Sequence, residues 1–160
     1  PTIPRPAGAL IVLSGWLVQH PGLVVPRPAL TFPDGQPRRR LLRRCNVRAM
    51  VYRQLPCLKF WAKYNERYLM ADRDLTQPTE IEFCTGSFSA VETAAFKAVG
   101  GFDEHYFMYV EDADLTQKMR TKGKAYLVPQ YTAIHAWHRA AHRSLKPFLW
   151  QLRSLLRYFS

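Results

Sequence analysis

Apolar residues recur along this chain with periods that change, and each change marks an element. Between Pro6 and His20, Leu10, Leu13, Trp16 and Leu17 fall on one helical face, and Pro21-Gly22 ends the run. Leu23-Val24-Val25 is a short unbroken apolar run typical of a buried strand. Leu30–Phe32 either continues it or pairs with it, and Pro33-Asp34-Gly35 is a strong turn signal. Glu80–Cys84 alternates as a half-buried strand does. Ser89-x-x-Glu92 has capping-box spacing and predicts a helix over Val91–Val99, which Gly100-Gly101 closes with the residue most tolerant of a left-handed C-terminus. A helix over Glu111–Thr121 follows, with Glu111, Asp112 and Asp114 in its first turn, Lys118, Arg120 and Lys122 near its end, and Gly123 as stop. Ala125–Val128 and Thr132–Ile134 read as strands flanking Pro129. Leu145–Phe159 reads as a basic amphipathic helix carrying Phe148, Leu149, Leu152, Leu155, Leu156 and Phe159. Helices alternate with strands, so the expected class is α/β.

One segment resists periodic reading. Arg38, Arg39, Arg40, Arg43, Arg44, Arg48 and Arg53 crowd a stretch that reads as a loose amphipathic helix or a mobile loop. Beyond it the chain stays irregular to Asp74, with Trp61, Tyr64 and Tyr68 as expected anchors. The whole chain of 160 residues has a net charge of +11, which implies an acidic partner: nucleic acid, anionic lipid or a phosphate-bearing small molecule. At 48% hydrophobic the composition is that of a folded domain rather than a disordered one. Cys45, Cys57 and Cys84 are odd in number and lack Cys-x-x-Cys spacing, so neither a disulfide framework nor a zinc ribbon is expected. No run of about 18 apolar residues is present. Pro1–Pro6 lacks the charged start and apolar run of a signal peptide. The opening Pro-Thr-Ile-Pro-Arg-Pro reads like the exit of a loop in something larger, so a fragment is expected.

The densest chemistry lies between Gly100 and Leu115, where a glycine turn and an aromatic loop lead into Glu111, Asp112 and Asp114. Acids in a first helical turn complement the macrodipole, each stabilising by roughly 0.3–1 kcal/mol. One of them pointing back over the glycine turn would also suit proton abstraction from a hydroxyl. His135 ends a predicted strand 23 residues after Asp112, and the intervening helix, turn and strand can bring both to one sheet edge. A neutral imidazole there suits a divalent metal, although His135, His138 and His142 each read as well as ordinary histidines. Thr85-Gly86-Ser87 after the Glu80–Cys84 strand is either a plain strand-to-helix turn or a small-residue loop that lets a substrate approach the backbone.

Taken together, these segments resemble the C-terminal half of a family 2 glycosyltransferase of the rhamnosyltransferase-like kind. The match runs in order through Pro1–Pro28, Pro33-Asp34-Gly35, and Thr85-Gly86-Ser87 with its helix into Gly100-Gly101-Phe102-Asp103-Glu104. It continues through Phe107–Leu115 to Val128-Pro129 and His135. The resemblance implies a partial GT-A, Rossmann-like domain over residues 1–143, the acceptor side of the fold, with a basic amphipathic helical tail over 144–160. It implies an inverting transfer of a sugar from a nucleotide-diphosphate donor to a glycan or polyisoprenoid-linked acceptor in cell-surface polysaccharide synthesis. Asp112 is similar to the catalytic base. Glu111 and Asp114 would bind or orient the acceptor, or the helix start itself, and Thr85, Gly86 and Ser87 would line the acceptor or donor-sugar side. His135 looks like the histidine that helps hold Mg²⁺ or Mn²⁺ in some relatives. The family's N-terminal nucleotide-binding units and Asp-x-Asp motif are not in these 160 residues, so the chain alone is expected to be inactive and to retain no metal. A cytoplasmic location is expected, peripheral at an anionic membrane face, with Arg38–Arg53 and His142–Phe159 as the contacts. The competing reading is a basic module that binds nucleic acid or another anionic surface without catalysis. No specific nucleic-acid signature accompanies the arginines.

Overall fold

A computed structural model describes residues 6–36, 43–54, 57, 59–135 and 145–160. In chain order the elements are α1 Pro6–Gln19, β1 Leu23–Thr31, α2 Val47–Gln54, a 3-10 turn Lys59–Trp61, α3 Ala62–Tyr68 and β2 Thr79–Ile81. There follow α4 Thr93–Ala98, α5 Glu111–Arg120, β3 Lys124–Ile134 and α6 Leu145–Phe159. The three strands form a mixed sheet of order β1-β3-β2, with β1 parallel and β2 antiparallel to β3. This small α/β assembly is compatible with part of a glycosyltransferase domain. The expected boundary at 143/144 falls outside the described residues, as do His138, His142 and Arg38–Arg40.

β1 is one strand despite Pro26 and Pro28. A proline lacks the N–H that a central ladder needs, so it is tolerated where that N–H would point away from the neighbouring strand. The carbonyls of Val24 and Pro26 turn away from β3 and accept from Glu92 N–H (2.9 Å) and Ala90 N–H (3.0 Å). Pro28, two residues on, shares that orientation. Likewise the two strands expected around Pro129 are a single β3. Its register against β1 jumps from Pro28↔Val128 to Ala29↔Thr132, leaving Pro129, Gln130 and Tyr131 as a bulge.

The core lies between the sheet and α4–α5. Leu115 and Met119, one turn apart on α5, join Val24, Val25, Ile81, Cys84, Ala95, Ala125 and Leu127. Ala9 and Leu13 are the buried positions of α1, which packs on β1 and β3, whereas Leu10 of the expected face is exposed and Trp16 and Leu17 are half-buried. α4 begins later than its spacing predicts. Glu92 is itself the N-cap, its carboxylate accepting from Ala94 N–H (2.9 Å) and from Ala95 N–H, so Ser89 caps nothing. Its end matches expectation: Gly100 and Gly101 take φ of +77° and +68°.

The described residues of the arginine segment, from Arg43 onward, make specific contacts. α2 carries its second half; Arg43 pairs with Asp72 (2.9 Å), and Arg48 donates to the Tyr64 hydroxyl (2.6 Å). Of the three expected anchors Tyr68 is buried, forming a second cluster with Cys45 and Ala49, while Trp61 and Tyr64 are half-buried.

Gly123 sets how closely the α5–β3 turn approaches β1. A Cβ there would stand 2.3 Å from the Gly22 carbonyl oxygen and 2.6 Å from Val24 Cγ1. Backbone cannot yield as a side-chain tip can, so Gly123→Ala is expected to lower stability by about 1–3 kcal/mol in urea titration. An unchanged midpoint would contradict this packing.

Candidate functional site

The site forms where the loop after β2 meets the start of α5. The Ala90 and Glu92 bonds lay the end of the loop, Ala90–Glu92, along the outer edge of β1, and Thr116 of α5 locks its start at Cys84. The Thr116 hydroxyl accepts from Cys84 N–H (3.2 Å) and lies within hydrogen-bond distance of the Asp112 carbonyl (2.6 Å) and the Cys84 carbonyl (3.2 Å). Gln117 adds a bond to the Glu82 carbonyl (2.7 Å). With this frame fixed, Asp112 Oδ2 accepts from Gly86 N–H (3.0 Å) and Oδ1 from Ala113 N–H (2.9 Å). Each oxygen keeps lone-pair capacity for a further donor.

Asp112 is pushed up to about 6. Desolvation is the main cause and the neighbouring Glu111 charge adds to it, against the lowering by the Gly86 and Ala113 amides. Its side chain keeps some solvent contact yet is densely enclosed, so burial wins over two good hydrogen bonds. Beneath it is a cavity of about 30 Å³ lined in part by Val25, Cys84, Ser89, Phe102 and Asp112, with room for about one water and none for a sugar ring. Gly86 lines the same cavity and is itself exposed, so the carboxylate lies near the surface on that side. A Cβ on Gly86 would make only ordinary contact with Asp112, 3.6 Å from its Cβ. Packing therefore does not demand glycine there, and its bare backbone leaves the carboxylate uncovered.

The loop that delivers Asp112 is strained and braced. Tyr109 and Val110 both have positive φ, +68° and +69°, and Val110 is the N-cap with no side-chain cap bond. For a β-branched residue this is a genuine outlier, costing on the order of 1–3 kcal/mol. α6 supplies the restraint. Ser154 Oγ donates to the Met108 carbonyl (2.8 Å), Trp150 meets Phe107 edge-on, and Arg157 pairs with Asp103 (2.8 Å). Asp103 also accepts from the amide and ring of His105, and these bonds with Arg157 hold it far below the usual carboxylate range.

The structure thus brings Thr85, Gly86, Ser87, Glu111 and Asp112 to one place. Thr85 and Ser87 pair through their hydroxyls (3.1 Å), and Glu111 keeps a buried Oε2 with no hydrogen-bond partner. Asp114 is engaged elsewhere, in an ion pair with Lys118 (2.7 Å) one turn along. His135 ends β3 beside Thr31, whose carbonyl accepts its N–H (2.9 Å). That is four residues beyond Arg27 along β1 (31 − 27), roughly 13 Å of strand. Among the described residues no group of three or more His, Cys, Asp or Glu is arranged to hold a metal ion.

Sequence reasoning missed Arg27. It is 2% exposed, its Nε and Nη1 have no hydrogen-bond partner, and it lies within electrostatic reach of Cys84 and Asp112. Desolvation lowers it below the usual guanidinium range, with Cys84 and Asp112 opposing. The available signal was a cation inside the apolar run Val24–Leu30.

Because Asp112 ionises at higher pH folded than unfolded, its stabilising contribution is complete below the unfolded value of 3.8 and lost as pH rises through about 6. In denaturant titrations, Asp112→Asn is expected to gain on the order of 1–3 kcal/mol on the wild type between pH 4 and pH 7. An offset equal at both pH values would contradict the perturbed ionisation.

Comparison with known proteins gives two relatives. The chain is 41% identical over 85 residues to Rhamnosyltransferase WbbL of Escherichia coli (strain K12), covering 51% of this chain and 32% of that protein. It is 38% identical over 79 residues to the N-acetylglucosaminyl-diphospho-decaprenol L-rhamnosyltransferase of Mycobacterium tuberculosis, covering 41% of this chain and 26% of the relative. The matches thus span about a third and a quarter of those relatives. No family model and no solved structure matches the chain. Part of this chain is therefore similar to proteins named as rhamnosyltransferases, in keeping with the resemblance carried by its own motifs.

Proposed function

We propose that this chain is the acceptor-side part of an inverting glycosyltransferase, with Asp112 as the base. Supporting this reading above all is a carboxylate whose ionisation lies near neutrality, anchored by the Gly86 amide and left open on that side. The relatives' names supply the substrate class: L-rhamnosyl transfer, in one of them to a sugar on diphospho-decaprenol. The donor is then a nucleotide-diphosphate sugar and the acceptor a hydroxyl of a lipid-linked glycan.

In the reaction, ionised Asp112 accepts the hydroxyl proton as the acceptor oxygen bonds to the anomeric carbon from the face opposite the leaving group. The bond from that carbon to the diphosphate oxygen breaks, and its electron pair leaves with the nucleoside diphosphate. The transition state has oxocarbenium character. A base with pKa near the working pH combines a useful ionised fraction with enough driving force to take the proton. The Gly86 and Ala113 amides orient the carboxylate, and Glu111 adds negative charge that keeps Asp112 basic. Thr85 and Ser87 border the same opening and suit contacts to sugar hydroxyls. The nucleic-acid reading is less well supported, because Arg43 and Arg48 are already engaged by Asp72 and Tyr64.

In the complete polypeptide, Asp112→Asn is expected to cut sugar transfer by roughly 10²–10⁴-fold while the fold is retained, and Asp114→Asn to stay near wild type. Wild-type kcat/KM should fall about tenfold per pH unit below about 6, where the base is protonated. Radiolabelled transfer with circular dichroism controls measures both, and an active Asp112→Asn variant would remove Asp112 as the base.

A further inference from the structure

α6 presents two different faces. Trp150, Ser154, Leu155 and Tyr158 point inward, against the Phe107–Met108 loop and the Cys45–Ala49–Tyr68 cluster. At 100° per residue, Phe148, Phe159, Leu152, Leu156 and Leu149 fall within an arc of about 100° on the other side. All five are exposed, from 40% for Phe148 to 66% for Leu156. An amphipathic helix ordinarily turns such a stripe to the core, whereas α6 has a separate inward face and leaves this one uncovered.

Charge decides what covers it. α6 contains no Asp or Glu, exposed Arg153 borders the stripe with Arg157 behind it held by Asp103, and the whole chain has a net charge of +11. A Phe- and Leu-rich stripe bordered by cations is the composition of a helix that lies in the plane of a bilayer interface. There the apolar side sits among acyl chains and the cations reach anionic headgroups. The helix has 15 residues, and no described helix is long and apolar enough to cross a membrane.

We infer that α6 docks on an anionic lipid bilayer through Phe148, Leu149, Leu152, Leu156 and Phe159. Since its opposite face grips the loop that runs into Glu111 and Asp112, docking also fixes the distance of that site from the lipid surface. The inference is independent of the proposed chemistry: vesicle binding is measured without any sugar transfer.

The test is co-flotation of the 160-residue chain with phosphatidylcholine vesicles, with and without phosphatidylglycerol. The wild type is expected to float with the anionic vesicles, and Leu152→Glu/Leu156→Glu to lose at least tenfold in partitioning. Both positions are exposed, so the variant should keep its circular dichroism spectrum. Added salt should weaken binding. Equal flotation of wild type and variant would overturn the inference, as would equal binding to neutral and anionic vesicles. A wild-type dimer in solution that the double substitution dissociates would assign the stripe to a second copy instead and also overturn it.

Discussion

The hydrogen bond from Gly86 N–H to Asp112 Oδ2 joins the two parts of the molecule on which everything else turns. One part is the loop whose end lies along the outer edge of β1, and the other is the first turn of α5. Thr116 makes this junction firm by tying both backbones through one hydroxyl. The carboxylate is consequently fixed by two amides while its environment resists its charge. Opposed influences of this kind suit a proton acceptor, because orientation and basicity are set by different groups. An ordinary N-terminal helix acid has neither property. Asp114, in the same turn as Asp112, is paired instead with Lys118 one turn along.

Such a site is not stable by local preference. Val110 is a poor cap and sits in a backbone region that β-branched residues avoid, so the entry to α5 must be restrained from outside. α6 does this through Ser154, Trp150 and Arg157. A helix whose inner face steadies the loop and whose outer face suits a lipid interface couples position at a surface to geometry at the carboxylate. For the proposed transfer to a lipid-linked acceptor the two requirements coincide.

Much of this was legible in the order of residues. Gly100-Gly101 announced a left-handed helix end, and the acids and bases of Glu111–Arg120 announced both ends of α5. What was not legible depends on partners distant in sequence. Pro26 and Pro28 argue against a strand unless one knows that the Ala90–Glu92 segment takes their outward edge. Ser89 looks like a cap until Glu92 is seen folding onto Ala94 and Ala95. His135 could be placed at the end of a strand, but the bulge at Pro129–Tyr131 alters how far along the sheet it falls. The unpartnered donors of Arg27 and the two-faced use of α6 arise only from tertiary packing.

The most direct measurement is the titration of the Asp112 side-chain carboxyl followed by carbon NMR in the folded 160-residue chain. The expected midpoint is about 6, with the Gly86 amide proton shifting over the same range. A midpoint at or below the ordinary aspartate value, or an amide that does not report it, would contradict a desolvated carboxylate poised to take a proton.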